Sequence, residues 1–502
     1  MRKIQINDES VVKFHNNVDF CVGTGRIGLA LTKEYYEQLK FVQEEIGFKH
    51  IRGHGLLSDD MAIYQEFMKH WGDAEGETEY CFTYLDRVFD MYLSLNIRPF
   101  LELGFMPSRI ASGKQTIFYW KGNTTPPKEY EKWNNLIAEL LKHLLERYGE
   151  DEVLAWPIEV WNEPNLPGFW EHADQQAYFT LFKNTFNTIK GVDKRFKVGG
   201  PAVCGGSDEV WISAFMKFCH DEKLKPDFIT RHHYTVEFPE RQGHYDYHKL
   251  MNPEDGFANL ATTRAIIDGY KEYKGLPIHI TEFNTSYTPR GIIHDTNLNA
   301  ALLAQQLSRL GDINESYSYW TFGDVFEEQG VQFTPFHGGF GLVADGCIPK
   351  PTFWTFAFFK KLEEAGDTCL YRDDNAVVIK TKKGYMGVLW NTDGEKSVEL
   401  ELNFPLDKKK GYSLMQKIVD EDTCNPLKVW HDLGEPAHPT AELNKLLRES
   451  AYPLVKTQRI EKNRSSKVSF EIKKNGVIWF EIKESEVTSD RGYDYDKVLS
   501  TR

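Results

Sequence analysis

Trp156-Pro157-Ile158-Glu159-Val160-Trp161-Asn162-Glu163-Pro164 opens as a short apolar, β-branched run and closes on a proline. Such a run reads as a buried strand. Proline has no N–H for a sheet ladder, so Glu163 falls where strand gives way to loop. A glutamate there, with the Asn162 amide beside it and indole rings around it, is placed to protonate a departing oxygen. Far along the chain the pattern returns in Pro277-Ile278-His279-Ile280-Thr281-Glu282-Phe283-Asn284. Glu282 also ends an apolar run.

The rhythm around these two stretches sets the fold. Short apolar runs at Phe20–Val22, His50–Arg52, Ile97–Leu101, Ile158–Trp161, Lys197–Gly199, Asp227–Arg231, Pro277–Thr281 and Ser316–Trp320 read as strands. Helix-like segments lie between them: Lys33–Ile46, Tyr84–Leu95, Tyr130–Arg147, Gln176–Lys190, Val210–His220, Leu260–Glu272 and Asn297–Leu310. Strands alternating with helices in this way predict an α/β chain folded as a (β/α)₈ TIM barrel, whose chemistry gathers at the C-terminal strand ends. Glu163 and Glu282 end strands four and seven. Two carboxyl groups facing each other across a barrel mouth are the equipment of a glycosidase.

Beyond about Pro351 the pattern changes. Ala376–Thr381 and Tyr385–Trp390 flank Lys383-Gly384, while Val468–Ile472 and Val477–Ile482 flank Asn475-Gly476; both pairs read as hairpins. Val398–Leu402 alternates as a further strand. The expected division is an N-terminal strand (1–14, with Ile4 and Ile6) joining a sandwich, a barrel (15–345), and a C-terminal β-sandwich domain (346–502). That last part carries a loop and helix insert near 405–455, with a helix about Thr440–Glu449. The residues from about Ser485 are polar and read as a loose tail.

Composition narrows the function. A formal charge of −14 argues against nucleic acid or an anionic membrane as partner. Aromatic residues reach 14%, and aromatic faces suit the C–H faces of sugars, although most serve as core. The seven cysteines are scattered, without CxxC pairs, so neither a disulfide framework nor a zinc site is expected. Met1–Glu9 lacks the apolar core of a secretory signal and no run approaches membrane-spanning length, which leads to the expectation of a cytoplasmic protein.

Other motifs have plainer competing readings. Gly23-Thr24-Gly25-Arg26-Ile27-Gly28 matches the dinucleotide pattern G-x-G-x-x-G. The second strand ends Arg52-Gly53-His54, without the acid a ribose would need, so the glycines read as a tight first barrel loop. His54, His232 and His233 end strands. No H-x-H or HExxH pattern supports a metal, and alternation lets at most one of His232 and His233 point inward. Tyr234 and Tyr287 are candidate donors to the ionised carboxylate, Trp320 a platform for the sugar face, and Phe118-Tyr119-Trp120 a cleft wall. Glu102 is equally placed but has no motif and stays unassigned.

Several longer strings resemble family 39 of the glycoside hydrolases, especially its bacterial β-xylosidases. They are Cys21-Val22-Gly23-Thr24-Gly25-Arg26, Ile51-Arg52-Gly53-His54-Gly55-Leu56-Leu57, Trp161-Asn162-Glu163-Pro164-Asn165-Leu166, Val198-Gly199-Gly200-Pro201-Ala202, Ile280-Thr281-Glu282-Phe283-Asn284-Thr285-Ser286-Tyr287, Tyr319-Trp320-Thr321-Phe322 and Phe336-His337-Gly338-Gly339-Phe340-Gly341-Leu342. The resemblance implies a barrel followed by a β-sandwich, with Glu163 as general acid/base and Glu282 as nucleophile. It implies that His54, Phe118, Asn162, His232, Tyr234, Tyr287, Trp320 and Glu327 line the site for a terminal xylose. No metal or cofactor is implied, and a homotetramer is. Departures from the family pattern are His233, where a small residue is expected, and Phe283, where a tyrosine is common.

The expected activity is that of a retaining exo-β-xylosidase releasing D-xylose from the non-reducing end of xylo-oligosaccharides such as xylobiose. The rivals are another retaining glycosidase of the family, such as an α-L-iduronidase-like or other β-glycosidase, and a non-catalytic sugar-binding barrel. An iduronidase would need cations for a uronate carboxylate, and Arg52 and the other site segments offer no obvious cluster.

Overall fold

The computed structural model describes residues 1–68, 70–71, 76–366, 368–463, 466–486 and 492–500. Eight parallel strands, Cys21–Arg26, His50–His54, Arg98–Leu103, Pro157–Val160, Lys197–Val203, Phe228–Tyr234, Ile278–Asn284 and Ser316–Tyr319, close into a barrel. The last pairs with the first, Ser318 opposite Cys21. All eight are buried almost throughout, as strands with side chains inside and helices outside must be. Their apolar runs therefore show no alternation in the sequence.

The expected helices lie between them: Lys33–Glu45, Thr83–Ser94, Tyr130–Tyr148, Gln175–Val192, Ser213–Asp221, Pro253–Asp268 and Asn297–Leu307. Thr32, Asp174, Asn252 and Thr296 cap four of them, each side chain accepting from a first-turn N–H that would otherwise be unsatisfied. An eighth helix, Pro351–Ala365, lies where the sequence pattern turns away from strand–helix alternation. Ten of its 15 residues are buried, so it has no amphipathic stripe for periodicity to reveal. It wedges between the barrel and a sheet, Phe353 stacking on Phe41 at 5.2 Å and Phe358 on Trp479 at 6.4 Å.

The remainder is a β-sandwich. Arg2–Gln5, Val398–Asn403 and Lys467–Ile472 form a three-stranded sheet, the N-terminal strand running parallel to its neighbour. Cys369–Arg372, Ala376–Thr381, Gly384–Trp390, Val477–Glu484, Tyr412–Val419 and Leu454–Ile460 form an antiparallel six-stranded sheet in that order. Ile4, Leu400 and Phe470 share one core with Val378, Leu414 and Phe480. Val377, Val388 and Trp479, on the other face of the larger sheet, join the barrel's core.

One expected hairpin is corrected. Ala376–Thr381 and Gly384–Trp390 do pair, but Lys467–Ile472 and Val477–Glu484 enter opposite sheets. The turn between the latter is present, with Asn475 at φ 53° and Gly476 N–H donating to Lys473 O. An Asn-Gly signal fixes a chain reversal, not the strand's partner. The insert contains the helices Pro426–Asp432 and Ala441–Glu449, the second capped by Thr440. The polar tail expected from Ser485 falls partly outside the described residues; Tyr495–Ser500 within it is a short helix. All seven cysteines are free thiols. No helix among the described residues is long and apolar enough to cross a membrane.

Candidate active site

The site is organised by a side chain to which sequence reasoning assigns no role. Arg52, on the second strand, is fully buried inside the barrel. It donates through Nε to Glu159 Oε2 at 2.6 Å, through Nη1 to Glu282 Oε1 at 2.7 Å, and through Nη2 to Asn162 Oδ1 at 2.8 Å. Glu102 Oε2 lies 2.9 Å from Nη2. One rigid guanidinium fork thus ties together strands two, three, four and seven. Glu159 in turn accepts from Thr281 Oγ1 at 2.8 Å. The charge inside the apolar run Pro157–Val160 is the sequence signal for such a hub.

Glu102, unassigned from sequence, acquires a partner as well. It lies 2.8 Å from His54 Nδ1. Burial works to discharge His54, but the Glu102 and Glu282 carboxylates outweigh it and hold the imidazole above its ordinary range. Burial likewise pushes Glu102 up, and His54 and Arg52 bring it down below the usual carboxylate value.

Glu163 and Glu282 meet across this hub. His232 Nδ1 lies 2.8 Å from Glu163 Oε1 and 3.4 Å from Glu282 Oε2. One oxygen from each glutamate and an imidazole nitrogen all stand within 4.8 Å of one another, well short of the separation of an inverting pair with a water between its carboxyl groups. The environments of the two carboxyl groups differ. Glu163 is raised to about 7, chiefly by burial, with His54 and Arg52 opposing. His232 is lowered to about 4, again by burial, so the hydrogen bond it shares with Glu163 brings no imidazolium charge. Glu282 has a donor on each oxygen: Arg52 on Oε1 and the Tyr234 hydroxyl on Oε2 at 2.8 Å. One group is kept protonated near neutrality while the other is oriented by a cation and a phenol. Among the described residues the same three side chains are the group that could share a cation, though Arg52 already places a positive charge against Glu282.

Local backbone helps aim Glu163. Trp161 and Glu163 sit at φ 74° and 42°, a region costing roughly 1–3 kcal/mol for side chains of this kind. The Glu163 N–H donates to Ala202 O at 3.0 Å, fixing the turn to the next strand.

A cavity of about 410 Å³ opens over the pair. His54, Asn162, Tyr234, Tyr287 and Trp320, all named from the sequence, line it. Because arginine only donates, its bond to Asn162 fixes Oδ1 toward Arg52 and leaves the amide N–H₂ for a ligand. Tyr287 is a rim residue, 39% exposed. No hydrogen bond joins it to Glu282 among the described residues. Phe118 stacks on His54 with ring centroids 5.7 Å apart rather than lining the cavity. His233 is also on the cavity lining, its Nε2 3.1 Å from Gln306 Oε1 on the seventh helix. Phe283 is buried against Tyr317 and Tyr319, so the missing hydroxyl lies away from the cavity.

Glu327 and its neighbour Glu328 are placed differently. Its carboxylate binds Arg26 Nη2 at 2.6 Å, and Arg26 also holds Asp60 at 2.6 Å. Glu328 is the residue that lines the cavity, its Oε1 4.0 Å from His54 Nε2. Burial raises Glu328 to about 8. In a loop, adjacent glutamates cannot be told apart by pattern.

The glycine motif also has a different purpose from the one expected. A Cβ on Gly23 would lie 2.3 Å from Trp320 Cε3, and one on Gly25 2.8 Å from the Phe326 ring. Neither residue adopts a positive φ. The glycines let the aromatic floor of the site approach the first strand, rather than letting a loop turn.

A parallel barrel presenting two close glutamates with unlike hydrogen-bond partners at its C-terminal rim, under a sugar-sized cavity with an indole floor, is the arrangement of a retaining glycosidase. The model of "Glycosyl hydrolases family 39" matches residues 2–467, and the chain belongs to that family. It is 47% identical to a β-xylosidase of Geobacillus stearothermophilus, covering 100% of this chain and 99% of the relative. It is 34% identical to one from Caldicellulosiruptor saccharolyticus over 92% of each. The solved monomeric β-xylosidase of Caulobacter crescentus CB15 superposes with a TM-score of 0.87 at 30% identity, over 96% of this chain and 99% of that one.

Proposed function

We propose that the protein is a retaining exo-β-xylosidase in which Glu163 is the general acid/base and Glu282 the nucleophile. The observation that carries this assignment is that a glutamate raised to about 7 by burial stands within 4.8 Å of one held by the Arg52 guanidinium and the Tyr234 hydroxyl. Protonated Glu163 gives its proton to the glycosidic oxygen as the bond to the anomeric carbon breaks. Glu282, aimed by Arg52 and Tyr234, attacks that carbon and forms a glycosyl ester. The leaving alcohol departs with the proton. Glu163, now ionised, takes a proton from water, whose hydroxyl displaces Glu282 and frees xylose with its configuration retained. His54, Asn162, Trp320 and Glu328 bind the terminal sugar, with the indole under its C–H face. No step calls on a metal or cofactor.

The test is chemical rescue on an aryl β-xyloside. Glu282→Gly and Glu163→Ala both lose activity, and azide restores each with opposite anomeric products. Wild-type rates in Glu282→Gly overturn the assignment.

The substrates in this reading are xylo-oligosaccharides such as xylobiose, met in the cytoplasm, and the assembly is a homotetramer of the 58.2 kDa chain. Light scattering in solution decides the assembly. A mass about four times the chain's supports the tetramer, and a monomer, the state of the solved Caulobacter crescentus β-xylosidase, contradicts it.

A further inference from the structure

A buried ionic triad underlies the loops that follow strands seven and eight. Lys350, at the start of the helix Pro351–Ala365, brings its Nζ to 2.6 Å from Asp295 Oδ1 and 2.7 Å from Asp324 Oδ2, and all three side chains are 0% exposed. Burial works to discharge the ammonium, but the two carboxylates outweigh it and hold Lys350 above its ordinary range. The second oxygen of each carboxylate accepts from backbone. Gly338 N–H donates to Asp295 Oδ2 and Gly341 N–H to Asp324 Oδ1, both at 2.7 Å. Lys350 itself donates to Gly339 O at 2.8 Å. A Cβ on Gly339 would lie 2.3 Å from Asp324 Oδ1, and one on Gly341 2.4 Å from Asp324 N, so the chain presses directly on the triad.

Three of the four residues in Gly338-Gly339-Phe340-Gly341 are thus bound to one ionic centre. The fourth, Phe340, lines the active-site cavity. Its ring packs on Phe326 at 5.2 Å, and Phe326 meets the Trp320 indole edge-on at 6.1 Å; the three rings form a cluster of their own. The backbone repeats the link. Thr321 N–H donates to Phe340 O at 3.4 Å and Leu342 N–H to Thr321 O at 3.0 Å, while Asn284 Nδ2 donates to Trp320 O at 2.6 Å and lies 3.4 Å from Phe340 O. Taking three charges out of water is costly, and well-packed apolar side chains often hold a fold as well or better. What a satisfied polar network supplies beyond adhesion is a single geometry.

We propose that Lys350 is a positioning residue for substrate binding, acting through Asp295 and Asp324 to fix Phe340 and with it the indole floor on which the terminal sugar rests. The role rests on the β-xylosidase reading. It gives the protein two buried cations with separate duties: Arg52 sets the Glu282 carboxylate, and Lys350 sets the floor.

The experiment measures kcat and KM on an aryl β-xyloside, inhibition by free xylose, and thermal unfolding for Lys350→Met and Asp324→Asn. Asp324→Asn is the milder change, because it leaves Lys350 and Asp295 as a balanced pair, whereas Lys350→Met strands two buried carboxylates and can cost the fold. In each folded variant KM and the inhibition constant for xylose rise together about fivefold or more, while kcat stays within about threefold. The high-pH limb set by Glu163 at about 7 keeps its midpoint. Phe340→Ala raises KM in the same way, and Phe340→Ala/Asp324→Asn raises it no further than Phe340→Ala alone, because both changes act through one ring. A lower melting temperature with KM unchanged assigns the triad to stability alone. A fall in kcat at constant KM assigns it to the carboxyl pair, and additive effects of Phe340→Ala and Asp324→Asn break the route through the ring. Each of these overturns the positioning role, as does failure of both Lys350→Met and Asp324→Asn to fold. Absence of aryl xyloside hydrolysis in the wild type would instead remove the β-xylosidase reading.

Discussion

Arg52 Nη1 stands 2.7 Å from Glu282 Oε1 with both side chains buried, and the same guanidinium reaches Glu102 and Glu159. The Glu282 carboxylate is therefore positioned by a residue three strands away around the barrel, whose own position depends on two further acids.

Arg52→Lys tests that dependence. A lysine offers a point charge where four contacts are made by a fork, so it cannot serve all its partners. The expected result is a loss of kcat of a hundredfold or more on an aryl β-xyloside, and a lower melting temperature. Breaking a buried pair costs roughly 3–5 kcal/mol. Thermal unfolding and initial rates measure both.

If Glu163 is the general acid proposed above, its ionisation sets the loss of activity at high pH. Glu163 titrates at about 7, and only its protonated form can donate to the leaving group. The kcat/KM profile of the wild type should fall above about pH 7, whereas Glu163→Gln removes that limb along with most of the rate on poor leaving groups. A wild-type profile flat through pH 9 would contradict it.

Glu328 gives a stability test with a definite sign. Burial raises it from 4.5 to about 8, so the folded state holds the proton more tightly than the unfolded chain. The stability from this proton is complete below 4.5 and is lost as pH rises toward 8. Glu328→Gln should therefore raise the melting temperature at pH 8 relative to wild type more than at pH 4.5. The same variant should lower kcat/KM at least tenfold, while Glu327→Gln, which touches Arg26 and not the cavity, stays within about threefold. Reversal of that order would return Glu327 to the sugar site.

Gly23→Ala places a methyl group 2.3 Å from Trp320 Cε3. Overpacking of this kind costs roughly 1–3 kcal/mol, and the indole must shift off the sugar face. A raised KM for the aryl xyloside, together with reduced stability, is the expected outcome.

Much of this is legible in the sequence because barrel strands are short buried runs bounded by loops, and their order fixes where Glu163 and Glu282 arrive. Arg52 and Glu159 are harder to see. A charge inside an apolar strand announces a buried polar network but not its partners, which come from other strands. The helix Pro351–Ala365 escapes because it is apolar on most sides, and the Lys467–Ile472 strand is mispaired because alternation marks a face, not a neighbour. That Glu328 lines the cavity while Glu327 meets Arg26 is not legible either, because a loop has no period to say which side chain turns inward.

The most direct test traps the covalent intermediate. A 2-deoxy-2-fluoro-β-xyloside with a good leaving group is incubated with the protein, which is then digested and analysed by mass spectrometry. The peptide containing Glu282 should gain one fluoroxylosyl group on that carboxylate. Labelling at Glu163, or turnover with no labelled peptide, would contradict the assignment.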